Sequence, residues 1–253
     1  MASSAVCKGG AQIAKSLLSS RNPNPNFLKL PNFRNPNIKF TLEMSGNSNN
    51  CSIGASTRSN GGDQNHEILH FDLSPLSSLK IQKGDITQWF VNGTSDAIVN
   101  AANEKMLGGG GVDGAIHRAA GPQLREACYK VPEVRRGVRC PTGEARITPG
   151  FKLPVSHVIH TVGPIYDVDD HPAVSLRNAY RNCLGLAKEK GIQYVVFPAI
   201  SCGIYGYPFE EAAQIAISTV AEFAGYFKEA HFVLFSDDIY DVWLQKAQEI
   251  LQV

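Results

Sequence analysis

The sequence lacks a dominant sign of charge: 24 Lys and Arg stand against 23 Asp and Glu, a formal +1 over 253 residues. That balance excludes a polyanion-binding protein driven by bulk charge. It also lacks any run of about 18 consecutive apolar residues, so no helical membrane span is expected. Cysteine is sparse. None of the six forms a C-x-x-C pair, and Cys128, Cys140, Cys183 and Cys202 stand singly, which argues against a zinc cluster or disulfide framework and fits a reducing compartment. Acids are missing altogether from residues 1–42, which hold six bases (Lys8, Lys15, Arg21, Lys29, Arg34, Lys39) before Glu43. The remainder carries 18 bases against 23 acids, a formal −5.

Residues 1–65 form one compositional block, from Met1-Ala2-Ser3-Ser4 through Asn22-Pro23-Asn24-Pro25-Asn26 to the Ser/Asn/Gly stretch Ser45–Gly62. Its few apolar positions cannot bury enough surface to offset chain entropy. A Ser-rich, basic, acid-poor leader is the composition of an organelle transit peptide, and scarce Arg favours a plastid over a mitochondrion. The competing reading is a disordered tail without an address, which would leave the protein in the cytoplasm or nucleus. Lys15 interrupts the short apolar run Ala11–Leu18, against a secretory signal. The domain boundary is therefore placed between residues 67 and 68. The body, 68–253, has a length suited to one domain, and an overall hydrophobic fraction of 43% is enough to fill one core.

That body alternates two periodicities. Strand-like runs occur at Leu79–Gln82, Ala97–Asn100, Val155–Thr161, Tyr194–Ile200 and Phe232–Phe235. Leu176, Ala179, Tyr180, Cys183, Leu184 and Ala187 make one apolar stripe in a helix expected over Ala173–Lys190, stopped by Gly191. Ala212, Ala216, Thr219, Val220 and Phe223 make a second stripe, and Tyr240–Leu251 a third helix. This pattern predicts an α/β fold with a largely parallel or mixed sheet covered on both faces, with ligands beyond the carboxyl ends of strands.

Three post-strand loops have chemistry in them. After Ala97–Asn100 comes Ala101-Ala102-Asn103, then Gly108-Gly109-Gly110-Gly111-Val112-Asp113-Gly114-Ala115-Ile116-His117. Four glycines allow backbone N–H groups to approach a ligand, and a helix expected from about Val112 adds its positive end: a phosphate cradle, or else a glycine hinge. It is neither a Walker A loop nor a Rossmann fingerprint. After Tyr194–Pro198 comes Ser201-Cys202-Gly203-Ile204-Tyr205-Gly206-Tyr207-Pro208, which offers a second set of amides and an aromatic wall at Tyr205 or Tyr207, or only a tight turn. Cys202 reads as a half-buried thiol rather than a nucleophile. Gly84-Asp85-Ile86-Thr87 puts a carboxylate at a strand end, as an amine acceptor or a cap. Asp113 and His117, at i and i+4, share a helix face, either as a water-orienting pair beside Asn103 or as an N-cap and a satisfied histidine. His157 and His160 fall on opposite sides of a strand with no cysteine placed near them to complete a metal set.

The five segments Gly84–Thr87, Ala97–Asn103, Gly108–Gly121, Val158–Pro164 and Ser201–Pro208, in this order, resemble the macrodomain family, closest to its MacroD-type branch. The resemblance spans about residues 68–253. It implies a three-layer α/β/α fold around a mixed, largely parallel sheet of about six strands that binds ADP-ribose. Asp85 and the Ile86 amide would then receive adenine, with Phe235 stacking on it. Asn100 and Ala101 would border the ligand, while Gly109, Gly110, Gly111, Val112, Ser201, Cys202, Gly203, Ile204 and Tyr205 would hold the diphosphate and flank the distal ribose. Asn103, Asp113 and His117 match the family's catalytic group. The second loop departs from the usual Ser-Thr-Gly, having Ser201-Cys202-Gly203, and Tyr205 replaces a common Phe. No metal and no cofactor are expected.

The activity this implies is hydrolysis of mono-ADP-ribose from acidic side chains, deacetylation of O-acetyl-ADP-ribose, or both. The alternatives are a non-catalytic ADP-ribose reader and an enzyme acting on ADP-ribose 1″-phosphate. The expected partners are ADP-ribose or ADP-ribosylated proteins, with no sequence-specific nucleic acid and no membrane, and the chain is expected to be monomeric.

Overall fold

A computed structural model describes residues 68–251. The expected leader, 1–67, lies outside the described residues. The strands are β1 (Leu69–Ser74), β2 (Ser77–Lys83), β3 (Asp96–Ala101), β4 (Ala145–Pro149), β5 (His157–Thr161), β6 (Tyr194–Phe197) and β7 (Glu229–Leu234). The helices are α1 (Gly111–Ala120), α2 (Pro122–Lys130), α3 (Pro172–Glu189), α4 (Phe209–Ala221) and α5 (Asp237–Leu251). The strands form one sheet in the order β1-β2-β7-β6-β3-β5-β4. The five central strands run parallel, and β1 and β4 pair antiparallel at the two edges.

Both faces of the central strands are buried, which is why their sequences read as continuous apolar runs. Ala97, Val99, Val195 and Phe197 point into one core with the apolar stripes of α3, α4 and α5. Ile98, Val158 and Val196 point into the other, with Ile116 and Ala120 of α1 and Leu124 and Cys128 of α2. Large side chains such as Trp243, Tyr180, Phe197 and Phe232 are fully buried in the first core, each contributing about 1.5–3 kcal/mol. The loop before β3 is fixed by Asp96, which is fully buried and whose Oδ2 accepts the amides of Val91, Asn92 and Gly93 at 2.6, 2.8 and 2.8 Å.

The three-layer architecture is the expected one, with two corrections. The sheet has seven strands rather than about six, because β1 and β4 are half-exposed edges whose apolar content is diluted by polar positions. Helix α2 buries only Leu124 and Cys128, too thin a stripe to stand out in sequence. The expected helix boundaries shift slightly: α3 starts at Pro172 and ends at Glu189, α4 stops at Ala221 before Phe223, and α5 begins at Asp237.

The topology also locates a crevice. Neighbouring strands β3 and β6 lead to helices in opposite layers, α1 and α4, so the chain diverges above their carboxyl ends. Such a divergence leaves an opening that a ligand can enter.

Candidate functional site

A cavity of about 220 Å³ occupies this crevice between the two post-strand loops. From the first loop it is lined by Ala101, Ala102, Asn103, Gly109, Gly110, Gly111, Val112 and Asp113. The helix begins one residue before the expected Val112. Gly110 is its N-cap and makes no side-chain capping bond, which leaves first-turn N–H groups open toward the cavity. Gly111 takes a φ of 58°, where a side chain would be strained. Gly114 matters for space rather than for conformation. A Cβ there would lie 2.5 Å from the Gly109 carbonyl oxygen, so only glycine lets the loop fold this closely onto the helix.

From the second loop the cavity is lined by Ser201, Gly203, Ile204 and Tyr205. Ser201 has a φ of 66°, an uncommon backbone for a non-glycine residue, and its buried Oγ has no hydrogen-bond partner among the described residues. It lies against Gly163, where a Cβ would come within 2.1 Å of that oxygen. Burial, with Glu104 and Asp113 nearby, raises the Tyr205 phenol further above its ordinary range, so it remains a donor. Two expectations change here. Cys202 does not line the cavity: it is buried, its Sγ turns back toward the Ile200 carbonyl at 3.6 Å, and burial pushes its thiol up to about 12. Tyr207 is no wall either, being fully buried with its ring 4.9 Å from that of Tyr166.

Asp113 is neither an N-cap nor a surface acid. It sits in the first turn of α1, is 3% exposed, and accepts the Asn100 Nδ2 at 2.7 Å on Oδ1. Its Oδ2 has no hydrogen-bond partner among the described residues. A Cβ at Gly109 would stand 3.0 Å from that Oδ2 and 3.1 Å from the Asn103 Nδ2, so both groups meet at the cavity wall under the glycine loop. His117 Nε2 approaches Asp113 Oδ1 at 3.5 Å without hydrogen-bond alignment, and its ring packs beneath Gly108. Burial raises the Asp113 carboxyl above its ordinary value, against the pull of the Asn100 hydrogen bond and of His117. Burial also lowers the His117 imidazole, against the attraction of Asp113. Both shifts run toward the neutral forms, so desolvation outweighs pairing, and Asn100 is the stronger fixed partner of the carboxylate.

Asn100 itself is fully buried and lies behind the cavity rather than in its wall. Its Nδ2 also reaches His160 Nδ1 at 3.1 Å, and His160 Nε2 meets Thr148 Oγ1 at 3.0 Å. A nitrogen that accepts from Asn100 must be bare, so the proton resides on Nε2 and is donated to Thr148. Thr148, His160 and Asn100 thus form a buried chain ending on Asp113, a feature sequence spacing did not reveal. Cysteines do approach His160, contrary to the sequence expectation: Cys128 Sγ lies 3.8 Å from Nε2, and Cys140 Sγ lies 3.8 Å from the carbonyl. His117, Cys128 and His160 present possible ligand atoms within 4.8 Å of one another. However, both His160 nitrogens are engaged and burial drives the Cys128 thiol up to about 12, so this cluster reads as packing and hydrogen bonding.

The remaining expected ligand residues lie along the same sheet end, two and three strands from β3. Asp85 is exposed and caps the single 3-10 turn Ile86–Gln88, its Oδ1 accepting the Thr87 amide at 2.9 Å and the Thr87 hydroxyl at 2.8 Å. Ile86 is buried beside it. Phe235 follows β7 and is 89% exposed, and the pairing of Lys83 with Leu234 makes it a neighbour of Asp85.

The His160 chain has a pH consequence. Burial lowers the His160 imidazole to about 3, while the unfolded chain protonates near 6.5. Between these values the unfolded state binds the extra proton, so stability is fully present above pH 6.5 and is lost as pH falls toward 3. Urea titrations of the wild type and His160→Gln should show the wild type losing, relative to the variant, about 3 kcal/mol between pH 7 and pH 4. A difference that stays constant over that range would contradict a neutral buried His160.

A Macro domain family model matches residues 99–216. A macro domain-containing protein of Vibrio parahaemolyticus is 50% identical over 170 residues, 66% of this chain and 96% of that protein. The O-acetyl-ADP-ribose deacetylase of Salmonella typhimurium is 49% identical over 166 residues, 64% of this chain and 89% of the relative. Among solved structures, the Oceanobacillus iheyensis macrodomain with ADP superposes with a TM-score of 0.69 at 42% identity, covering 75% of this chain and 99% of that one. The Trypanosoma brucei macrodomain in complex with ADP-ribose gives 0.56 at 39%, covering 66% and 68%. With its seven-stranded sheet, its glycine loops and relatives from Vibrio and Oceanobacillus matched over 96% and 99% of their length, the chain belongs to the macrodomain family, in its MacroD-type branch.

Proposed function

We propose that this protein is an ADP-ribosyl-ester hydrolase that removes mono-ADP-ribose from acidic protein side chains and deacetylates O-acetyl-ADP-ribose. The observation carrying this reading is the pair Asp113 and Asn103, set in the cavity wall with one buried carboxylate oxygen left unpartnered beside the open start of α1. A relative named O-acetyl-ADP-ribose deacetylase and neighbours solved with ADP and ADP-ribose support the ligand and the chemistry.

The diphosphate would take the amides of Gly109–Val112, where the α1 dipole favours an anion, and those of Ser201, Gly203, Ile204 and Tyr205. The distal ribose then falls between Asn103 and Asp113, with Tyr205 over it. Asp113 Oδ2 would hold a water against the ester, and its raised affinity for protons makes it a better base than an exposed carboxylate. Water adds to the ester carbonyl, the bond to the ribose oxygen breaks, and that oxygen recovers a proton. The products are ADP-ribose and the free acid, acetate in one case and a protein carboxylate in the other. Asn100 keeps the carboxylate aimed, and His117 packs the glycine loop from below.

Release of ADP-ribose from an automodified transferase, measured beside ADP-ribose affinity, tests the assignment. Asp113→Ala should cut release by about 10²-fold or more while altering affinity far less. Tight binding with no release by the wild type would identify a reader instead, and full release by Asp113→Ala would remove Asp113 from the mechanism. Gly114→Ala should weaken ADP-ribose binding about tenfold or more by calorimetry, since its Cβ displaces the Gly109 carbonyl. Helix propensity alone would favour alanine by about 1 kcal/mol, so unchanged affinity with higher stability would argue against the close-approach role.

We further propose that residues 1–67 act as a transit peptide, with a plastid as destination, on the basis of their acid-poor, Ser-rich start. A fusion of residues 1–65 to a fluorescent protein should be imported into plastids. A diffuse cytosolic signal would discard the proposal.

A further inference from the structure

The described domain is acidic, but its charge is unevenly distributed. Between Arg118 and Lys152 eight bases face three acids, while the rest of residues 68–251 carries nine bases against seventeen acids. The basic segment includes α2 and the turn before β4, which meet where Arg139 lies over the Tyr129 ring, beside Glu104, the neighbour of the cavity-lining Asn103. Glu104 follows Asn103, and its carbonyl accepts the amides of Arg139 at 2.8 Å and Cys140 at 3.2 Å. The Arg139 Nη1 donates to the Lys105 carbonyl at 3.3 Å, and Arg135 pairs with Glu104 at 2.9 Å. The arginine-bearing turn is therefore bonded directly to the loop that carries Asn103.

At its centre is Tyr129, 52% exposed, with the guanidinium of Arg125 at 5.8 Å and that of Arg139 at 5.3 Å from its ring. Two cations on one ring hold an aromatic side chain in place while leaving it open to solvent. Val134, 56% exposed, adds an apolar contact point, and Arg136 is exposed with no ion pair among the described residues. A held tyrosine ringed by arginines is the composition that interface cores favour.

Resting on the proposed placement of the distal ribose beside Asn103, we infer that the Tyr129–Arg136 surface receives an acidic polypeptide segment flanking the ADP-ribosylated residue. The bond between ribose and protein would emerge at this end of the cavity, so the modified chain must pass over α2 or the turn beside it. Arg139 already pairs with Glu133 at 3.1 Å and Arg135 with Glu104, so carboxylates near the modified position would meet the exposed Arg125 and Arg136, and Tyr129 offers a flat contact to the chain. A nucleic acid suits the surface less well. Glu104, Glu126 and Glu133 are interspersed among the bases, against the closely spaced charges of a phosphate backbone, and one aromatic does not make a stacking track.

Binding decides this independently of turnover. In the full-length protein carrying Asp113→Ala, so that the substrate stays intact, fluorescence anisotropy would compare a labelled ADP-ribosylated peptide rich in Asp and Glu, a Lys-flanked counterpart and free ADP-ribose as competitor. The acidic peptide should bind about tenfold tighter than free ADP-ribose at low salt and lose that gain at 0.5 M NaCl, as screening of exposed charges requires. Adding Arg136→Glu should abolish the gain, and Tyr129→Ala reduce it, with the affinity for free ADP-ribose unchanged. Equal binding of the two peptides would overturn the inference. So would a loss of free ADP-ribose binding equal to the loss for the peptide, or an ADP-ribosylated oligonucleotide that gained as much and depended on Arg136 as strongly. If the wild type released no ADP-ribose while the acidic gain persisted, the hydrolase reading would fail and the docking surface would stand.

Discussion

A carboxylate kept in a nearly dry wall without a cation beside it is the constraint around which this site is arranged. Asp113 is 3% exposed, and none of the residues lining the cavity is Lys or Arg. An isolated buried charge is expensive unless it is hydrogen-bonded. The compensation comes from the positive end of α1, in whose first turn Asp113 sits, from the Asn100 amide at 2.7 Å and, more weakly, from His117 at 3.5 Å. The supply of donors is finite. Asn100 serves Oδ1, nothing among the described residues serves Oδ2, and burial raises the proton affinity of the group against the Asn100 bond and the nearby His117. An acid fully satisfied by arginine would be a weaker base, and the guanidinium would fill the space beside Oδ2.

The same helix terminus has a second client. In the proposed complex a diphosphate at Gly109–Val112 and the Asp113 carboxylate would both draw on the α1 dipole, and two anions so close would repel each other. Glycine resolves this spatially. The first-turn amides open outward past the uncapped Gly110, while the carboxylate is turned back toward β3 and Asn100. Gly114 permits the fold-back by admitting the Gly109 carbonyl, and Gly163 does the equivalent for the second loop by admitting Ser201. Neither glycine is needed for flexibility; each is needed for the room its missing Cβ leaves.

The parts that were legible in sequence are local ones. Runs such as Ala97–Asn100 announced central strands because both faces are buried, and the α3 stripe from Leu176 to Ala187 announced a helix because it repeats over three turns. The glycine loops were visible as composition, although composition left a hinge and a cradle equally open until the order of five motifs pointed to a family. What escaped was either thin or non-local. β1, β4 and α2 each bury too few residues to show a period. The Thr148–His160–Asn100 chain depends on β5 lying between β3 and β4, so residues 60 and 12 positions apart meet only after the sheet forms. Cys202 shows a related limit: its neighbours Ser201 and Gly203 line the cavity, while its own buried thiol turns back to the Ile200 carbonyl, as the reading of a half-buried thiol allowed.

The cavity, at about 220 Å³, falls short of the roughly 300–1,000 Å³ of sites that engulf a drug-sized ligand. The ADP-ribose proposed for it would therefore extend beyond it, and the sheet gives the direction. From β3 the order runs through β6 and β7 to β2, three steps of about 4.8 Å, or about 14 Å along the row of strand ends. At the far end stand Asp85, whose Oδ2 lies outside its capping bonds, and the exposed ring of Phe235. An aromatic left 89% exposed on a domain with two filled cores is unexplained by folding, and it is well suited to stack on a base. Such a ligand would be held at one end by stacking on an open surface and at the other by amides in a closed one. In the proposed reaction the ester would then lie at the end of the site where Asp113 is buried and held by Asn100.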